Sequence, residues 1–370
     1  NTHDRTILDT LNREQSIHLT GLTGSITPII GSQCFKTSDQ NFIFILTDKE
    51  EAAYFHNDLE QFIPEKDLLF YPGSYRRPYQ IEETDNANVL LRAEILNRLS
   101  TRKKPCCIVT YPDAIFEKVI AQKELHKNTL KLVVGEEIGI DFLNETLFEY
   151  GFEYSDFVVE PGQFSIRGGI VDVFSFSSEQ PYRIEFFGDE VESIRSFNIN
   201  TQLSIKEVKK LSIIPNVEHK EMIESRVSFM NYLHEKSILW VKDEELCKAH
   251  LDKLYLKAYN SFEELNGSIK HIKPEELFIN AKTYSNNTEH FHKISFGGKE
   301  DKSTHKIEFQ TSFQPSFNKQ FDLIIEHFNE MSQKGYTNLI LCSSQKQEER
   351  FHNIFDKIDG EFKYSTILLP

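Results

Sequence analysis

Between residues 156 and 197 the chain alternates apolar and polar positions, DFVVEPGQFSIRGGIVDVFSFSSEQPYRIEFFGDEVESIRSF. The alternation breaks at Pro161-Gly162, Gly168-Gly169, Ser177-Ser178 and Gly188-Asp189. β-Branched and aromatic runs between turn-forming pairs predict several short antiparallel strands joined by tight turns. One of these strands carries an aromatic on the wrong side. A period of two places Tyr182, Ile184 and Phe186 on one face, and Arg183, Glu185 and Phe187 on the other. A solvent face reading Arg, Glu, Phe suits the docking of another protein. Two plainer arrangements compete with that one. Arg183 and Glu185 could form an ion pair on a solvated face, and Phe187 could pack against the helix predicted over residues 141–150.

Outside this block the pattern changes from one period to another. Apolar strands are expected at 16–20, 41–46, 67–71 and 106–110, with helical periodicity at 49–62 and 89–99 and a helix opening at Pro112 and continuing through Val119. Strands alternating with helices predict a parallel α/β sheet. The rhythm resumes with a strand at 237–241, a helix from Glu244, a helix at 321–333, a strand at 338–342 and a helix at 345–355. Residues 280–310 are polar and His-rich, and are expected to form an irregular or edge-sheet region. The economical organisation is one α/β domain split in sequence, over 1–128 and 216–370, by an α+β insertion at 129–215.

Length and composition agree with a multi-domain globular protein: 370 residues, 39% hydrophobic and 27% charged. No apolar run is long enough to span a bilayer, and no leader precedes Asn1, so the expected setting is cytoplasmic with no membrane partner. The missing initiator Met and the end at Pro370 suggest a segment of a longer protein. A net charge of −15 gives no global attraction to a phosphate backbone. The five cysteines lack CxxC or paired His spacing and are expected to be core thiols, without disulfides or zinc.

The stretch Gly21-Leu22-Thr23-Gly24-Ser25-Ile26-Thr27-Pro28 overlays the phosphate-loop pattern G-x-x-x-x-G-K-[ST] at a predicted strand-to-helix turn. The second glycine is Ile26, the lysine is Thr27 and the magnesium-binding hydroxyl is Pro28. These changes remove close backbone approach, the cation and a backbone N–H. A plain glycine-bearing turn is the alternative, and both readings expect no ATP hydrolysis here. Farther along, Ile238–Val241 followed by Lys242-Asp243-Glu244 could be a relic of the acidic motif of motor ATPases. The simpler expectation is a helix whose first turn is acidic, as the helix dipole favours.

The segments GFEYSDFVVEPGQFSIRGGIVDVF (151–174) and PYRIEFFGDEVESIRSF (181–197), continued by Thr201-Gln202 and residues 211–215, resemble bacterial transcription-repair coupling factors. The resemblance spans essentially the whole chain as the N-terminal UvrB-like module of that family, and 151–215 is its most specific part. It implies a degenerate, phosphate-loop NTPase-like fold with an inserted domain that binds UvrA. The family's UvrA-contacting positions fall on Arg167, Arg183 and Phe187; Ser165 stands where UvrB has a further arginine, which implies a smaller contact set. UvrB itself differs in keeping an intact phosphate loop. It also carries a long DNA-clamping hairpin, for which the span between Pro72 and Val89 leaves no room. The family further implies RNA polymerase and DNA partners through other domains, ATP and magnesium in downstream motor domains, no cofactor in this segment, and a C-terminal domain that masks the UvrA site. The alternatives are a nucleotide-dependent, UvrB-like DNA-loading subunit and a generic α/β scaffold.

Overall fold

The computed structural model describes residues 2–74, 86–101, 104–176, 178, 180–216, 226–264, 272–298, 305–318, 320–357 and 363–368. Residues 75–85, in the span expected to leave no room for a clamping hairpin, lie outside these residues. The chain divides into two compact units, residues 1–311 and 312–370.

The first unit opens with α1 (Thr2–Leu11), β1 (Ser16–Thr20), α2 (Ile26–Lys36), β2 (Phe42–Ile45), α3 (Lys49–Glu60), β3 (Leu68–Phe70), α4 (Asn86–Thr101) and β4 (Cys107–Thr110). Asp48 fixes the start of α3 by accepting the Glu51 amide at 2.9 Å. β2 and β4 are buried along their whole length, which explains their unbroken apolar sequences. The helix begun at Pro112 is shorter than its pattern predicts: α5 covers only Pro112–Phe116 and gives way to β5 (Val119–Ile120). Tertiary partners override helix propensity here. The Glu117 carboxylate accepts the Ser74 amide and hydroxyl at 2.9 and 2.6 Å and pairs with the buried Arg92 at 3.2 Å, while the Lys118 amide donates to Leu277.

After α6 (Gln122–Lys127) come β6 (Leu130–Val133), α7 (Ile140–Glu149), β7 (Glu153–Tyr154), β8 (Gln163–Arg167), β9 (Ile170–Val173), β10 (Tyr182–Phe187), β11 (Glu190–Phe197), β12 (Ser204–Glu207) and β13 (Lys210–Ile213). The alternating block becomes a six-stranded sheet of order β12-β11-β10-β9-β8-β7, antiparallel except for the β7–β8 pair. Gly168 and Gly188, with φ of 60° and 62°, take the first position of its two-residue turns, where a side chain is disfavoured. β6 and β13 pair separately, bringing the two ends of the block together.

The chain then returns through β14 (Arg226–Val227), β15 (Ile238–Lys242), α8 (Glu244–Glu264), α9 (Pro274–Leu277), α10 (Ala281–Thr288), β16 (His292–Phe296) and β17 (His305–Glu308). The seven-stranded sheet has the order β17-β1-β16-β15-β2-β4-β3, and all its pairs are parallel. It therefore draws strands from both sides of the antiparallel block. Residues 280–310 are not simply an irregular edge: β16 runs between β1 and β15, and only β17 lies at an edge. Trp240 sits fully buried in this sheet, its ring 5.4 Å from Phe44 and 6.0 Å from Phe42. All five cysteines are free and buried.

The second unit contains α11 (Phe321–Gln333), β18 (Leu339–Cys342), α12 (Gln345–Phe355) and β19 (Ser365–Leu368), with β18 and β19 parallel. Its core gathers Ile325, Phe328 and Phe355, with Phe321, Ile340, Phe351 and Tyr364 packed around them. No helix among the described residues is long and apolar enough to cross a membrane.

Candidate functional site: a cationic and aromatic sheet face

The glycine-bearing turn forms where the sequence puts it, between β1 and α2, with positive φ at Gly21 and Gly24. It is occupied by the chain itself. The Phe309 amide donates to Thr20, the Thr311 amide and hydroxyl donate to Gly21, and the Thr23 and Thr311 hydroxyls meet at 3.0 Å. A Cβ on Gly21 would lie 1.7 Å from the Phe309 carbonyl oxygen, so close approach of this segment, rather than of a phosphate, requires glycine here. Thr27 and Pro28 are buried in α2. At the end of β15, Asp243 caps α8 by accepting the Leu246 amide at 3.0 Å, and Glu244 pairs with Lys293 at 2.9 Å. Lys242 pairs with Glu51. Burial of Glu51 opposes its ionisation, but hydrogen bonds from Lys242 and Thr47 outweigh it and hold the carboxyl below its ordinary range. The polar groups at this edge thus answer one another, and the Asp-Glu pair serves as an acidic helix start.

The antiparallel sheet presents a different surface. Strand β10 buries Ile184 and Phe186 and turns Arg183, Glu185 and Phe187 to the opposite face, as the period of two requires. Phe187, in the last position before the turn, is 78% exposed and does not bury itself against α7. Nor do Arg183 and Glu185 pair with each other. Arg183 takes the residue opposite it on β9, donating from Nε and Nη2 to Asp172 at 2.7 and 2.9 Å. Its guanidinium also lies 4.7 Å from the centroid of the buried Phe197 ring and reaches Gln202. The hydrogen bond to Asp172 raises the Arg183 pKa beyond its ordinary value. Glu185 hydrogen-bonds the Ser193 hydroxyl at 2.8 Å and pairs with Arg195. The Ser193 hydroxyl, then Arg195, hold its carboxyl below the usual range.

Arg167, at the end of β8, converges on the same carboxylate: its Nη2 pairs with Asp172 Oδ2. Asp172 is 2% exposed, so one buried acid grips both arginines while Arg167 keeps 43% of its side chain exposed and Arg183 19%. The sequence pattern did not single Asp172 out. Its signal was present, as an acid inside the otherwise apolar strand IVDV, but its partners lie on neighbouring strands. Ser165 is buried, with its hydroxyl on the Asp156 carbonyl at 3.4 Å. Structure therefore brings Arg167, Arg183 and Phe187 onto one sheet face. That face can offer charge-assisted donors to carboxylates and an aromatic to an apolar pocket.

Residues 130–219, which contain this face, match the family model of the UvrB interaction domain. Over 93% of its length the chain is similar to the transcription-repair-coupling factor of Bacillus subtilis, at 27% identity. The proteins of the same name from Rickettsia bellii and Escherichia coli are 32% and 26% identical over 49% and 52% of the chain. The chain spans 32% of the Bacillus protein's length and 16% and 17% of the other two.

Proposed function

We propose that this chain is the recruitment module of a transcription-repair coupling factor, and that it binds UvrA through Arg167, Arg183 and Phe187. The observation that carries this reading is Phe187, an aromatic 78% exposed on the same sheet face as two arginines held by one buried carboxylate, in the stretch that matches the UvrB interaction domain. Burying such a side chain at an interface contributes about 2 kcal/mol at a hot spot, whereas leaving it in water gains nothing for the fold. We read the domains as 1–128, 129–215 and 216–370, the last including the separate compact unit 312–370, and the parallel-sheet part as a degenerate phosphate-loop NTPase-like domain. Its role is non-catalytic, a reading supported by Thr27 in place of the lysine and by the Phe309–Thr311 contacts at Gly21. The parent protein, in a bacterial cytoplasm, would link stalled RNA polymerase to excision repair. It would use ATP and magnesium in its own motor domains, and a C-terminal domain would mask the UvrA site at rest.

Titration of UvrA against the intact chain, its Arg167→Ala and its Phe187→Ala variants tests the binding reading. Tenfold or greater weakening with unchanged circular dichroism is expected, and equal affinities would overturn it. Measurable ATP turnover by this chain would instead favour a UvrB-like loading subunit.

A further inference from the structure

Two loops fold against the ends of the arginine pair, and both expose apolar side chains. The loop at 155–160 is anchored by Gln163, whose side-chain oxygen accepts the Val159 and Glu160 amides at 3.0 and 3.1 Å. Val158 points inward to Phe174 and Phe197, forming a small core of its own beneath the Arg183 guanidinium. Phe157 and Val159, on either side of it, are turned out, with Phe157 63% exposed. The loop at 198–203, between β11 and β12, is held by Asn198, which accepts the Asn200 and Thr201 amides at 2.9 and 3.0 Å. It leaves Leu203 69% exposed.

Hydrogen bonds tie these loops to the arginines. Asp156, next to Phe157, accepts from Arg167, and Gln202, next to Leu203, accepts from Arg183. Asp172 joins the two arginines. A single connected path therefore runs Phe157, Asp156, Arg167, Asp172, Arg183, Gln202, Leu203, while Phe187 lies on the same sheet face.

We propose that the docking surface extends from the sheet onto both loops, so that the protein engaging Arg167 and Phe187 also buries Phe157 and Leu203. Aromatic and arginine side chains are the types enriched at the centres of protein interfaces. The matching surface on the partner carries carboxylates opposite the arginines, with apolar pockets at the margins. The proposal rests on the UvrA reading above and enlarges that same site.

The test is a titration of purified UvrA against the whole chain carrying Phe157→Ser with Leu203→Ser, beside Phe187→Ala. A Leu203→Glu and Leu203→Lys pair, each a single exposed change, covers the case in which the double variant misfolds. Expected are at least tenfold weaker binding for the double variant with an unaltered thermal melt, and a larger loss for Leu203→Glu than for Leu203→Lys. Should the loop variants bind within twofold of the parent while Phe187→Ala weakens binding, the loops are not part of the interface and the UvrA reading survives. If no variant changes affinity, both fall. Loss of self-association without loss of UvrA binding would assign the loops to a second copy of the chain and overturn the extension.

Discussion

The loop edge of the parallel sheet and the outer face of the antiparallel sheet both look chemically equipped, and they dispose of their polar groups in opposite ways. At the parallel edge, Gly21 is met by Thr311, Lys242 by Glu51, Glu244 by Lys293, and Asp243 by its own helix. On the antiparallel face Arg167 remains substantially exposed although it is paired, and Phe187 has almost no cover. Self-satisfaction at one place and exposed, pre-oriented groups at the other support the proposal of a scaffold that carries a recognition surface. Glycines and acids alone do not make a nucleotide site, whereas a clamped arginine on the same sheet face as a bare aromatic has a cost that an interface would offset.

The scaffold half of that contrast is best broken through Arg92, which is fully buried against Glu117. Glu117→Ala takes a buried carboxylate away from that cation and should lower stability by about 3–5 kcal/mol, read from urea denaturation followed by Trp240 fluorescence. A loss under ~1 kcal/mol would mean that the segment around Ser74 is not held as described. On the recognition side, Asp172→Ala should release both arginines and weaken UvrA binding by about 2 kcal/mol, roughly thirtyfold. An affinity equal to the parent's would show that the clamp does not orient them.

Acid titration sharpens the comparison at lower amplitude. Glu51 and Glu185, one in each region, have folded pKa values below their ordinary 4.5. Such groups contribute stability that is fully present above the unfolded pKa and lost as pH falls through the folded value. Urea midpoints should therefore be level from pH 6 to 8 as far as these groups decide, and decline below about pH 4.5. Exchanging Glu185→Gln should flatten part of the decline. The smallest expected effect is at the glycine turn: Thr27→Lys should create no measurable ATP affinity, because Pro28 and the Phe309–Thr311 segment stay in place.

Much of this was legible in the sequence because it is local. The face assignment of Arg183, Glu185 and Phe187 needs only a strand period, and the turn at Gly21 only its glycines. What escaped depends on distant partners. β16, HKISF, is too short and mixed to announce itself, and its interior position comes from pairing with β1, some 277 residues away, and with β15. The early end of α5 follows from what Glu117 meets across the fold. Asp172 gained its meaning only when three strands set it between Arg167 and Arg183.

The central claim is that the Phe187 face is there to be covered by UvrA. Its most direct test is calorimetric titration of UvrA into the parent chain and into Phe187→Ala, with thermal melts of both. The account predicts about thirtyfold weaker binding with an unchanged melting temperature, since the ring contributes to the interface and almost nothing to the fold. Binding within twofold of the parent, or a destabilised variant, would contradict it.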